Sequence, residues 1–412
     1  MSVKNWKQQS LLGGASVWET SLSNGLTLLV SPMASSPVVA VQVWYAVGSG
    51  HEDPKATGVA HFLEHMMFKG TALHAEGEFD RIMERMGAHG GTNAFTSKDY
   101  TAYVVEVPAS RLKDALRLEA DRMRNLVLDA DSLERERGVI LDEKLRSLSD
   151  PESLRSDSLL AQVYKDTSMA WPILGTEEHL KAMSPRILSD FYTRHYQPGG
   201  AAVVVVGGVD PDEALRATDE TFGSLRGSRG LEPLPPRQVQ EGRHCFKADV
   251  ALPRLDICFE AEGISAEEGL LMSKQLSGSE DALLDREFVL KGRAQDVSAW
   301  HFEAPKRRGA IFVISITLPE GEDPERMERD VIQLLEGYRD LPDNSLQSLK
   351  VAMQCQASAM IERPEDRASF LGQKWVYGEP FPMEIPFDPP TVVRLVSNLP
   401  SRRRFVHLTT PS

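Results

Sequence analysis

The sequence predicts an α+β chain built as two similar-sized halves, and three observations carry that reading. Strand-like apolar runs and helix-spaced apolar residues alternate irregularly along the chain. The stretch Gly223–Gln240, GSLRGSRGLEPLPPRQVQ, is dense in Gly, Pro, Ser and Arg with no periodicity, which is how an exposed linker reads. Beyond it the same mixture of strands and helices returns. The expected division is residues 1–222, a linker at 223–240, and residues 241–412, which suits a chain of 412 residues at about 150 per domain.

The elements follow in order. Leu26–Ser31 and Val38–Gly48, rich in Val, Leu, Trp and Tyr with turn residues between them, read as two strands of a meander. Gly58–Lys69 sets Val59, Ala60, Phe62, Leu63, Met66 and Met67 at helical spacing, with Gly70 as a C-cap. Glu78–Met86 reads as a helix, Thr92–Val107 as one or two strands, and Arg111–Leu126 as an amphipathic helix. A long helix covers about Asp131–Leu148 and breaks at Asp150-Pro151; further helices are expected at Ser153–Tyr164 and Ser184–Tyr196. Ala201–Val206 is a continuous apolar run of strand length, followed by Gly207-Gly208 and a helix over Pro211–Phe222. The second half offers a strand in Val250–Glu260, a helical region in Glu267–Leu290, a strand at Ala310–Thr317 and a helix at Pro324–Tyr338. No residue-level repeat relates the halves, so a duplicated fold rests on this shared grammar alone.

Composition narrows the function classes. Apolar residues at 41% and charged residues at 26% argue against disorder. A net charge of −14 argues against a nucleic-acid partner, because phosphate binding needs concentrated positive charge. Three widely spaced cysteines, Cys245, Cys258 and Cys355, are too few for a disulfide framework or a thiolate zinc cluster and read as buried small residues. No run of 18 apolar residues occurs, so no membrane span is expected. Met1–Leu12 has no apolar signal region, which points to the cytoplasm, or to the periplasm if a leader precedes this numbering.

The chemistry concentrates in His61-Phe62-Leu63-Glu64-His65. Two imidazoles at i and i+4 share a helix face and can converge on one metal ion, with Glu64 beside them. The competing reading is two surface histidines on a helix. A catalytic zinc uses three protein ligands and one open position, so a third ligand is needed elsewhere. In Glu134–Glu143, ERERGVILDE, Glu136, Ile140 and Glu143 share one helix face at spacings of four and three. Taken alone, that segment reads as a charged helix with i to i+4 ion pairs. The histidine pair changes the weighing.

Together these residues resemble the pitrilysin and mitochondrial-processing-peptidase family of zinc peptidases, the inverzincins, in which the usual H-E-x-x-H order is reversed. The flank Met66-Met67-Phe68-Lys69-Gly70-Thr71 matches the family's apolar pair followed by Phe-Lys-Gly-Thr. The match continues through Asn93–Ser97 with Asp99 and Tyr100, through Glu136–Glu143, and at Tyr196-x-Pro198, covering the first half well and the second loosely. The resemblance implies two related α+β domains, each a mostly antiparallel sheet packed with helices, facing each other as a clam shell. It implies one zinc per chain held by His61, His65 and Glu143, with Glu136 supporting the ligands and Glu64 as general base. It also implies that Asn93, Ala94, Phe95 and Thr96 form an edge strand that pairs with an extended peptide, that Asn93 helps hold the scissile carbonyl, and that a closed chamber selects short or unfolded peptides.

One departure stands out. The family's substrate-binding Arg, with a Tyr seven residues later, falls at Phe288 and Gln295 when Leu284–Gln295 is aligned on Gly292 and Ala294, with Arg286 or Arg293 as substitutes in a shifted register. The loss implies a partner chain of the same fold that lacks H-x-x-E-H and supplies the pair. This chain is then the zinc-bearing subunit of a heterodimer. A self-sufficient homodimeric peptidase and a weakly catalytic or non-catalytic peptide-binding or assembly subunit are the alternatives. His51 and His74 flank the motif without metal spacing and His89 reads as a turn residue rather than a ligand; the loop Gly48–Pro54 reads as an ordinary turn and Arg402–Arg404 as a solvated basic stretch.

Overall fold

The computed structural model describes residues 6–88, 92–227, 237–304, 309–339, 343–382 and 388–412. His89 and half of the expected linker, residues 228–236, lie outside them. In the first half, β1 (Lys7–Ser10), β2 (Ser16–Ser21), β3 (Thr27–Pro32), β4 (Val38–Tyr45), β5 (Thr92–Thr96), β6 (Thr101–Pro108) and β7 (Ala201–Gly207) form one sheet in the order β1-β2-β3-β7-β4-β6-β5. The helices of this half are α1 (Val59–Met66), α2 (Glu78–Arg85), α3 (Leu112–Asn125), α4 (Ala130–Ser149), α5 (Pro151–Val163), α6 (Glu177–Ala182), α7 (Pro185–His195) and α8 (Pro211–Phe222). The break at Asp150-Pro151 falls where the sequence places it: Pro151 opens α5, and the Asp150 side chain accepts from the Ser153 N–H at 3.0 Å.

The expected meander of β3 and β4 does not form. β7 inserts between them, parallel to β3 and antiparallel to β4. Its run Ala201–Val206 has no exposed residue, and a strand apolar on both sides is most stable in the middle of a sheet covered on both faces.

In the second half, β8 (Gly242–Ala248), β9 (Arg254–Glu260), β10 (Asp296–Phe302), β11 (Ile311–Thr317) and β12 (Arg404–Pro411) are ordered β10-β11-β9-β12-β8. Its helices are α9 (Ala266–Leu276), α10 (Pro324–Glu336), α11 (Asp343–Glu362), α12 (Pro364–Tyr377) and α13 (Pro389–Asn398). The helical region expected over Glu267–Leu290 is in fact α9 and a separate π-helical turn at Asp285–Val289. The duplication now has a structural form. Strands β3, β7, β4, β6 and β5 repeat as β8, β12, β9, β11 and β10, with the same order and the same sense at every pairing, parallel only at the first.

The compact units interleave rather than follow the linear division. One holds residues 1–145, 171–234 and 357–384; the other holds 146–170, 235–356 and 385–412. Each sheet has one face covered by helices of its own half and the other by a helix from the other half of the sequence. In the first unit, α12 lies over β4. There the buried Gln42 donates to the Glu365 carbonyl at 3.1 Å and to Ser369 Oγ at 3.0 Å, and Trp44 Nε1 donates to Gln42 Oε1 at 2.8 Å. Gly372 is required at this crossing, because a Cβ there would lie 2.1 Å from the Trp44 ring. In the second unit, α5 brings Leu159 and Val163 onto Cys258, Val313 and Phe405. Arg155 Nη1 meets the fully buried Asp256 at 2.7 Å, and Ser158 Oγ lies 3.0 Å from His407 Nε2.

Other expectations change as well. Val239, within the stretch read as an exposed linker, is fully buried, and the Gln240 N–H donates to the Val163 carbonyl. Cys258 is buried, but Cys245 and Cys355 are exposed. Arg402 donates to the Glu260 and Glu262 carbonyls and Arg404 pairs with Glu328, so that run is engaged rather than merely solvated. Among the described residues no helix is long and apolar enough to cross a membrane.

Candidate metal centre and active site

Helix α1 is short and almost wholly buried, with Val59, Ala60, Phe62, Leu63 and Met66 in the core of the first unit. That packing leaves His61, Glu64 and His65 on the remaining face, one turn apart. On α4, Glu136 and Ile140 are buried and Glu143 is 41% exposed at the same helix face. His61 Nε2 lies 3.7 Å from Glu143 Oε1 and His65 Nε2 lies 3.4 Å from Glu143 Oε2. A tetrahedral zinc with bonds of about 2.0–2.1 Å holds its ligand atoms roughly 3.3 Å apart, close to both separations, and the three donor atoms lie within 4.8 Å of one another. His61, His65 and Glu143 are the one group among the described residues whose donor atoms converge in this way.

The surroundings favour ligation. Burial, aided by the neighbouring His65, lowers the His61 pKa to about 3, so its imidazole is neutral and able to bind metal. Burial also pulls His65 down, but its hydrogen bond to Glu136 and the charges of Glu136, Glu143 and Glu64 outweigh this and raise it. Glu136 Oε1 lies 2.8 Å from His65 Nδ1, while Lys69 Nζ reaches Glu136 Oε2 at 2.6 Å. This carboxylate fixes which ring nitrogen of His65 faces Glu143. The Nδ1 of His61 is buried without a hydrogen-bond partner. Burial raises the Glu64 pKa against the lowering effect of Thr96, whose Oγ1 donates to Glu64 Oε2 at 2.5 Å.

The candidate substrate strand divides. β5 is the outermost strand of its sheet, paired on one side to β6. Thr96 reaches Glu64, and Ala94 lines a cavity of about 570 Å³ that also borders Glu64, His65, Phe68, Met83 and Glu84. Phe95 packs instead against Trp44 and Tyr100 on the opposite sheet face, with ring centroids 5.5 and 6.0 Å away, as strand alternation requires. Asn93 is exposed, lines the same cavity, and its Oδ1 accepts from the Ala94 N–H.

Glu52 was missed by the sequence reading, which took its loop for an ordinary turn. Its Oε2 accepts from the Gly58 N–H and its Oε1 from the Ala60 N–H, each at 2.9 Å, capping α1. The available signal was a helix preceded by Gly58 rather than Ser, Thr, Asp or Asn. Gly58 has φ of 89°, and a Cβ there would lie 2.8 Å from the Leu174 carbonyl, so the cap has to come from elsewhere. In the second unit, Phe288 is buried in the core and Arg293 is held by Asp330 at 2.7 Å and Glu322 at 2.5 Å.

An H-x-x-E-H helix and a glutamate from a second helix, set beside an edge strand, define the class of inverted-motif zinc peptidases. Sequence comparison agrees. The profile described as Insulinase (Peptidase family M16) matches residues 28–177, and that described as Peptidase M16 inactive domain matches residues 182–350. The chain belongs to peptidase family M16. It is 37% identical over 224 residues to an uncharacterized zinc protease of Mycobacterium leprae, covering 54% of this chain and 50% of that one. It is 35% identical over 247 residues to the beta subunit of the mitochondrial-processing peptidase of Bos taurus, covering 59% and 50%. The chain spans about half the length of the curated relatives it matches. In fold it is similar to a protease from Helicobacter pylori, with a TM-score of 0.83, 22% identity, and coverage of 96% and 99%.

Proposed function

We propose that the chain is the catalytic subunit of a zinc-dependent endopeptidase acting on short or unfolded peptides. The observation that carries this is the convergence of His61, His65 and Glu143 next to a Glu64 carboxylate held by Thr96 at the free edge of a sheet. One zinc per chain would be held by His61, His65 and Glu143, and when bound it supplies Lewis acidity and a water of lowered pKa. Glu64 takes the proton of the attacking water and later delivers it to the leaving amine; its raised pKa suits both roles. The edge of β5 offers main-chain donors and acceptors to an extended peptide, so sequence selectivity falls to the neighbouring cavity. Glu136 and Lys69 keep His65 oriented through the cycle.

The second unit motivates the rest of the proposal. With Phe288 in the core and Arg293 tied to Asp330 and Glu322, neither is free to bind substrate, and Arg286, 40% exposed with Glu287 at 3.5 Å, is the one substitute left; the loss at the first two supports a partner chain of the same fold supplying the Arg and Tyr contacts. The same observation favours a second reading, a non-catalytic peptide-binding or assembly subunit. Two measurements separate them: zinc content, and cleavage of an unstructured peptide of about 20 residues with and without a chelator. About one zinc per chain and chelator-sensitive cleavage are expected, alone or on adding the partner. A chain that binds no zinc is not this enzyme.

A further inference from the structure

The segment between β4 and α1 makes two sets of contacts. At its start, the Ser49 N–H donates to the Ser97 carbonyl at 3.0 Å, the Gly50 N–H donates to the Lys98 carbonyl at 2.8 Å, and Thr101 Oγ1 donates to the Val47 carbonyl at 3.0 Å. These bonds fasten it to the turn joining β5 and β6. The approach is close: a Cβ on Gly48 would lie 2.2 Å from the Ser97 carbonyl oxygen. Midway along it stands Glu52, 6% exposed, with both carboxylate oxygens on the first turn of α1. The circuit closes through the site itself, since Thr96, just before that turn, donates to Glu64 on α1.

Gly58 denies the start of α1 the usual short polar cap. Here a long acid is drawn from six residues upstream and buried, which costs desolvation that a surface cap avoids. Burial pushes its carboxyl up to about 8, only partly offset by the Ala60 and Gly58 N–H bonds and by Lys98. Such a group is retained where its position matters. We propose that Glu52 is a positioning residue for the peptidase centre: the Gly48–Glu52 strap sets the distance between the helix bearing His61, Glu64 and His65 and the edge strand that receives the peptide. This rests on the zinc-peptidase reading of the site.

The full chain is tested as Glu52→Gln, which keeps size and one acceptor, and Glu52→Ala. Two readouts are taken: amide hydrogen exchange of the metal-free protein at residues 59–66 and 92–98, and the visible absorption of the cobalt-substituted protein, which reports ligand geometry. Glu52→Ala should speed exchange in α1 and in β5 with its turn together. Glu52→Gln should shift the cobalt spectrum and weaken metal affinity by about 10–100-fold, the range for groups that orient ligands. Faster exchange confined to α1, or a Glu52→Gln spectrum and affinity equal to wild type, overturns the proposal. Should Glu52→Ala fail to fold, Glu52→Gln decides alone. A wild-type chain that takes up neither zinc nor cobalt would instead overturn the zinc reading, while the exchange experiment still judges the strap.

Discussion

The two units share a five-strand topology down to the sense of each pairing, yet they carry different chemistry. In the first, the helix between the β4 and β5 strands presents His61, Glu64 and His65 and meets Glu143 from α4. In the second, the corresponding stretch between β9 and β10 holds α9 and the π-helical turn, with Leu271, Met272, Leu276 and Phe288 packed into the core. The architecture recurs without the metal ligands. What distinguishes the first unit is a set of polar groups with their own supports: Glu136 and Lys69 behind His65, Thr96 on Glu64, and Glu52 on the helix start. The fold supplies a frame, and the site depends on the residues grafted onto it.

The comparison can be tested from its strongest contrast downward. Glu64→Gln should retain zinc and lose about 10²–10⁴-fold in peptide turnover, the usual worth of a general base, measured by zinc analysis and steady-state cleavage. Retained turnover would remove the first unit's claim to catalysis. Next come the two borrowed helices. Trp44→Ala should cost about 3–5 kcal/mol by opening a cavity under α12. Arg155→Ala should cost about 3–5 kcal/mol by stranding the buried Asp256 carboxylate. Denaturation followed by hydrogen exchange should place each loss in its own unit, and an Arg155→Ala protein with weakened zinc binding would show that the two are energetically one.

A pH effect should be smaller and confined to the first unit. The Glu52 pKa rises on folding from an ordinary carboxylate value to about 8, so its contribution to stability is present in full below the unfolded value and is lost as pH rises through 8. Between about pH 5 and pH 8 the metal-free wild type should lose more stability than Glu52→Gln, read from urea midpoints. Parallel pH curves would contradict a buried, titrating Glu52. Least of all, Arg293→Ala should cost about 1 kcal/mol and leave KM unchanged, because its partners are half-buried acids of its own unit that water still screens. A raised KM would make Arg293 a substrate contact after all.

Much of this protein is written locally. The i to i+4 spacing in His61–His65, the four-and-three spacing in Glu136, Ile140 and Glu143, and the Asp150-Pro151 break each need only a helix to take effect, so periodicity and the family resemblance find them. Other features depend on groups far apart in the chain. Nothing local tells β3 that β7, some 170 residues later, will separate it from β4, nor tells Trp44 that Gly372 will lie on its ring. Phe95 and Thr96 are neighbours in sequence, but the pleat sends one to the aromatic cluster and the other to Glu64. Glu52 reads as a loop acid until the backbone closes around it. The sequence by itself determined which residues could bind metal and move a proton. The tertiary structure decided which of them meet, because long-range strand order and burial are settled only by the packing of the whole unit.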